Sequence, residues 1–153
     1  MTKEAIVKQV QGITLIGKSD SNHWLTMDGA PELGGTLAGA TPKELVLIGL
    51  AGCTSMDVIP MLKKRRANVT GFELKATGIE REEHPRAFTE IHLEYIFYGE
   101  GIKPADVERA IDLSMTKYCS VSAMLKPQVK ITHSYKIITS QEAAATPASP
   151  PQA

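Results

Sequence analysis

The chain predicts an α+β fold with antiparallel sheets, and three observations carry that prediction. Strand-like alternation occupies the first quarter and returns in three later segments. A long apolar helical run stands between them, and a second helical pattern precedes the last strand. The resulting order, β-β-β-α-β-β-α-α-β, lacks the regular strand–helix alternation of a doubly wound sheet.

The elements follow in order. Ala5–Val10 and Ile13–Gly17 flank Gln11-Gly12, a tight-turn signal. His23–Met27 follows the polar turn Ser19-Asp20-Ser21-Asn22. The Gly-rich stretch 28–40 reads as a loop. Thr41, Pro42 and Glu44 then announce a helix: threonine can cap, proline suits the first helical position, and a glutamate three residues after the cap completes a capping box. The apolar run Leu45–Leu62 predicts a helix buried on most sides, kinked by Pro60, whose ring opposes the carbonyl of Met56. Lys63-Lys64-Arg65-Arg66 suits its C-terminus electrostatically.

Phe72, Leu74 and Ala76 alternate with polar residues, as do Ile91, Leu93, Tyr95 and Phe97. Such period-two patterns predict strands covered on one face. A helix opens at Pro104 and reaches about Tyr118, with Val107, Ala110, Ile111, Ser114, Met115 and Tyr118 inward. Residues 119–125 add one or two helical turns. The last strand places Val129, Ile131, His133, Tyr135 and Ile137 on its buried face, while His92 faces the polar side of its own strand. Residues 1–139 read as one domain. The Ala/Pro/Ser-rich residues 140–153 read as a disordered tail.

Composition narrows the function. Lysine plus arginine equals aspartate plus glutamate, 17 each, so no basic excess points to nucleic acid. No stretch reads as a membrane span of roughly 20 apolar residues. Charge interrupts the apolar residues at the start, so no signal peptide is expected. The cytoplasm is the expected compartment, where a catalytic disulfide is more plausible than a structural one. His23, His84, His92 and His133 are scattered, and the cysteines lack CxxC spacing, so no metal site is expected.

The chemistry rests on two cysteines. Cys53 lies inside the long helix, with Gly49 one turn before it and Gly52 beside it. Each glycine costs a helix roughly 1 kcal/mol against alanine, which close approach by a backbone or ligand would offset. Asp57, one turn after Cys53, opposes thiolate formation. A reactive Cys53 therefore requires a donor or cation from elsewhere in the fold. Cys119 follows Lys117 and precedes Ser120 and Ser122, near a helix start whose free N–H groups lower thiol pKa values. Inert core thiols remain the alternative on these grounds.

Further motifs bear on that choice. Thr41-Pro42-Lys43-Glu44-Leu45-Val46-Leu47 leads to Gly52-Cys53-Thr54, and Asp57-Val58 follows. Arg86-Ala87-Phe88-Thr89-Glu90-Ile91, Lys117-Tyr118-Cys119-Ser120-Val121 and Thr132-His133-Ser134-Tyr135 complete the series. Together they resemble the OsmC/Ohr family of osmotically induced and organic-hydroperoxide-resistance proteins, and within it the YhfA-like branch. The likeness spans about residues 4–138. It implies sheets wrapped around a long buried helix in an intertwined homodimer, with active sites at the interface. It implies a peroxidatic thiol at Cys53 and a resolving thiol at Cys119. It implies an organic peroxide as substrate and an external dithiol, lipoyl-type included, as reductant, with no bound cofactor.

The chain departs from the family's Arg–Glu pair. Lys43 stands where the glutamate is expected, and no arginine precedes Arg65. Glu44 and Arg86 are the candidate supporting residues, although Glu44 is half a turn out of phase with Cys53 and is explained by the capping box. A small-ligand-binding dimer without turnover, or a stress-related dimer with inert thiols, is the alternative function.

Overall fold

A computed structural model describes residues 1–139; the tail expected at 140–153 lies outside the described residues. The chain forms two compact units, one of Met1–Leu47 and one from Ile48 onward.

In the first unit, β1 (Ala5–Gln11), β2 (Thr14–Ser19) and β3 (Leu25–Met27) form an antiparallel sheet in that order. Gly12 takes φ +56° in the β1–β2 turn, a conformation that glycine adopts without strain. The loop after β3 is organised by one buried carboxylate. Asp28 is 3% exposed and accepts from the N–H groups of Gly29, Thr36 and Ala38 and the hydroxyls of Thr14 and Thr36, at 2.7–3.1 Å. The loop closes so tightly that a Cβ on Gly35 would lie 1.9 Å from the Gly29 carbonyl oxygen.

The Thr36 hydroxyl, followed by the Gly29 N–H, holds the Asp28 carboxyl far below the usual carboxylate range. A carboxyl depressed in the folded state stabilises the fold above its unfolded pKa, near 3.8, and that contribution fades as pH falls toward the folded value. Asp28→Asn is therefore expected to lower the melting temperature at neutral pH and to shrink the loss of stability below about pH 4. Thermal melts of both proteins across that range check this; parallel acid limbs would refute it.

Helix α1 (Pro42–Lys64) begins with the expected capping box: the Thr41 N–H donates to Glu44 at 2.7 Å, and the Glu44 N–H to Thr41 Oγ1 at 3.4 Å. The helix runs through Pro60.

In the second unit, α1 leads to β4 (Val69–Glu80) and β5 (Phe88–Gly99). Then come α2 (Pro104–Leu113), a π turn over Ser114–Tyr118, α3 (Ser120–Leu125) and β6 (Lys130–Ile138). The expected α+β order holds, with one correction to the purely antiparallel expectation. β5 is central; β4 pairs with it antiparallel, but β6 pairs with it parallel. The reason is the helical crossover, which is long enough to return the chain to the end of the sheet where β5 began.

Ile91, Leu93, Tyr95 and Phe97 of β5 are fully buried, as are Leu50 and Val58 of α1 and Val107 and Ile111 of α2. On the other face of the sheet, His92 bonds to Thr132 and Ser134, and Lys136 meets Glu94 at 2.5 Å, as the alternation predicts for a polar side. His133 departs from its expected burial. Its ring edge faces Tyr95, centroids 6.5 Å apart, but it is exposed because β6 is an edge strand.

α1 departs more. The expectation of burial on most sides fails: its buried residues are Leu50, Thr54, Val58 and Leu62, a single i, i+4 stripe. Ile48, Met56 and Ile59 are 59%, 79% and 45% exposed. By length and composition α1 is also apolar enough to cross a membrane, with a mean hydropathy of 1.8 over its best 18-residue window. This corrects the expectation that no stretch approaches that limit; core helices of soluble proteins meet the same criterion.

Candidate active site

The two cysteines, 66 positions apart in the chain, meet in the second unit. Both are free thiols. Cys53 sits on the flank of the buried α1 stripe and is half-buried, whereas Cys119 is 3% exposed. Each thiol acts on the ionisation of the other.

The helical crossover places the second thiol. At Ser114 the regular helix gives way to a π turn, and the Cys119 N–H closes it on the Ser114 carbonyl at 2.8 Å. Inserted π turns of this kind recur at functional sites. Cys119 then caps α3: its Sγ accepts from the Ser122 N–H at 3.4 Å, and its carbonyl accepts from the Ser122 hydroxyl at 3.0 Å. The turn after the cap faces Cys53 with Ser120 Oγ, 4.0 Å from the Cys53 sulfur, and with the Val121 N–H.

These contacts divide the thiols electrostatically. Burial works against ionisation of Cys53. The Val121 N–H, the Cys119 S–H and the Ser120 hydroxyl outweigh it, and Cys53 falls below the ordinary thiol range despite Asp57. Burial is the largest influence on Cys119 and pushes its thiol up, with the Ser122 N–H only partly compensating. The expectation that Cys119 is the electrostatically favoured thiol is thus corrected. The donors at the start of α3 serve Cys53, and the Lys117 ammonium lies over the Tyr118 ring, 5.3 Å from its centroid.

Glu44 and Arg86 fare differently from the cysteines. Glu44 is committed to the capping box, which holds its carboxyl below the usual range through the Thr41 N–H and hydroxyl. Arg86 lies in the exposed β4–β5 connection. The groups acting on Cys53 come instead from residues 119–121 and Asp57.

A buried hydroxyl cluster beside the thiols escaped the sequence reading. Thr54 Oγ1 lies 2.7 Å from the Tyr95 hydroxyl and 2.9 Å from Ser114 Oγ, and Ser114 donates to Asp57 at 2.8 Å. The available signal was a threonine within the otherwise apolar stripe Leu50–Thr54–Val58–Leu62.

The fold and this site define a class: an α+β protein that brings together two cysteines from distant segments, one thiol lowered below its ordinary range and the other raised. Residues 34–134 match the family described as OsmC-like protein. The sequence is also similar to protein YhfA of Escherichia coli K12, with 46% identity over 135 residues that cover 88% of this chain and 98% of that one. The chain belongs to the OsmC-like family. Among solved structures, a hypothetical protein from Aquifex aeolicus is 30% identical with TM-score 0.80, covering 91% of this chain and 98% of that one. An organic hydroperoxide resistance protein from Elizabethkingia anophelis shares the fold at 18% identity and TM-score 0.65, covering 89% and 97%.

Proposed function

We propose that this protein is a cytoplasmic, homodimeric reductase of organic hydroperoxides, with Cys53 as the peroxidatic thiol and Cys119 as the resolving thiol. The observation that carries the reading is the placement of the two thiols: Cys119 is buried at the start of α3, and the next residue of that turn, Ser120, brings its hydroxyl within 4.0 Å of the half-buried Cys53 sulfur. The thiolate is the nucleophile in such chemistry, and a resolving partner must lie close to the sulfur that it attacks.

The steps balance with one external dithiol. The Cys53 thiolate attacks the outer peroxide oxygen; the O–O bond breaks, and the alcohol leaves as alkoxide, which takes a proton. Cys53 becomes a sulfenic acid. The Cys119 sulfur then attacks the Cys53 sulfur, and water departs with the Cys119 proton. The resulting disulfide is reduced by a dithiol, which is itself oxidised to a disulfide. Donors supplied by Ser120 and Val121 take the place of the family's Arg–Glu pair in holding the thiolate. Organic hydroperoxide resistance proteins among the structural relatives support the choice of substrate.

A homodimer accords with the exposed apolar residues. A Cβ on Gly49 or Gly52 would meet nothing within 4 Å in the single chain, so these glycines leave a smooth surface for a second helix or a ligand.

Cumene hydroperoxide consumption with dithiothreitol or a lipoyl donor tests the reading. The wild type is expected to turn over and Cys53→Ser to fall to the uncatalysed rate; equal rates would refute it. One equivalent of peroxide should also remove two hydrogens from the wild-type mass. Unmodified thiols would favour the alternative, a binding protein that uses the same surface without turnover.

A further inference from the structure

We propose that Thr54, Ser114 and Tyr95 form a one-way hydroxyl relay ending on Asp57, which positions Cys53 against Cys119 for disulfide closure. This deepens the reading of Cys53 and Cys119 as a redox pair and rests on it.

Proton counting sets the relay's direction. Each hydroxyl has one proton to give. Ser114 gives its own to the Asp57 carboxylate, which can only accept. The 2.9 Å contact between Ser114 and Thr54 therefore requires Thr54 to donate. With the Thr54 proton spent, the 2.7 Å contact to Tyr95 requires the phenol to donate. The competing acceptor for that phenol, Met115 Sδ, is 3.8 Å away and weaker. The chain runs Tyr95 to Thr54 to Ser114 to Asp57, with every step short.

The relay joins the two cysteine-bearing segments. Thr54 is the next residue after Cys53 on α1. Ser114 opens the π turn, and its carbonyl holds the Cys119 N–H. One side chain thus grips the helix beside the first thiol while its own backbone fixes the second. Tyr95 anchors the cluster to the central strand, and all three hydroxyl residues are fully buried. Geometry of this strictness suits a condensation whose rate depends on sulfur-to-sulfur placement. The Ser114 hydroxyl also draws on the carboxylate of Asp57, whose charge opposes ionisation of Cys53.

The test reads disulfide formation without peroxide. Wild type, Thr54→Ser, Thr54→Val and Tyr95→Phe are equilibrated in buffers of oxidised and reduced glutathione. One glutathione disulfide becomes two thiols for each protein disulfide formed, and alkylation with mass spectrometry counts the products. Thr54→Val keeps the shape but removes the relay's centre, so its closure constant should fall roughly tenfold or more. Thr54→Ser should restore it, and Tyr95→Phe should fall between. A Thr54→Val closure constant equal to wild type overturns the relay, whatever its effect on melting temperature. If Thr54→Val does not fold, the comparison rests on Tyr95→Phe, where wild-type closure overturns the relay equally. A wild type that closes its disulfide here yet consumes no peroxide would refute the peroxidase reading and leave the positioning role intact.

Discussion

Cys119→Ala is expected to slow the first chemical step as well as abolish disulfide closure. Cys119 is among the groups that lower the Cys53 thiol, so removal of a donor there raises the Cys53 pKa. A hydrogen bond to a charged group is worth about 1.5–3 kcal/mol, so single-turnover oxidation near neutral pH should slow roughly tenfold or more. The sign with pH follows from the nucleophile. The thiolate reacts, so the rate climbs as pH rises through the Cys53 pKa, and the midpoint of that climb moves upward in the variant. The variant should also stop at sulfenic acid and, under excess peroxide, proceed to sulfinic acid, since no second thiol intervenes. Cys119→Ser separates the two roles. Its hydroxyl can still donate, so the pH midpoint should stay near wild type while the disulfide is lost. Stopped-flow oxidation across pH, with mass analysis of the product, checks both variants. An unchanged midpoint in Cys119→Ala would show that the Val121 N–H and Ser120 hold the thiolate unaided.

Much of this arrangement was legible in the sequence because it is local. Thr41, Pro42 and Glu44 specify a helix start through a reciprocal pair of hydrogen bonds three residues apart, and that pair forms. The alternation of β5 predicts its buried face residue by residue, since the strand period is two. What escaped depends on placement in space. The donors around the start of α3 were assigned to Cys119, the nearest thiol in sequence, but the cap turns Ser120 and the Val121 N–H toward Cys53. Burial then dominates Cys119, and burial is a property of the assembled core. The parallel pairing of β6 was hidden for a related reason: strand direction is set by where the crossover ends, and alternation carries no direction. The apolar run of α1 conceals a further distinction. Hydrophobicity around a helix says that each side is to be covered, without saying by which chain.

That distinction leads to the second large expectation, the loss of the proposed dimer in Met56→Glu. Ile48, Gly52, Met56 and Ile59 follow one another at helical spacing on the side of α1 away from Leu50, Thr54 and Val58. Met56 is 79% exposed in the single chain, and Gly52 beside it presents no side chain. In the first unit every residue of β1 is exposed, Ile6, Val7 and Val10 among them. Exposed apolar surface on each unit marks an association site in a water-facing protein. A two-fold dimer would set like surfaces against each other, so one substitution enters the interface twice. An unpaired buried charge costs about 3–5 kcal/mol, and with the charge present twice this is on the order of a 10,000-fold rise in Kd or more. Sedimentation at micromolar concentration should give twice the chain mass for the wild type and the monomer mass for Met56→Glu. Because association and folding are linked, the melting temperature of the wild type should also rise with protein concentration. A wild type that sediments as a monomer with a concentration-independent melt would assign the stripe to a different occupant. Peroxide turnover measured on the same samples then separates two cases: retained activity in the monomer places the whole site within one chain, and lost activity means that the second chain completes it.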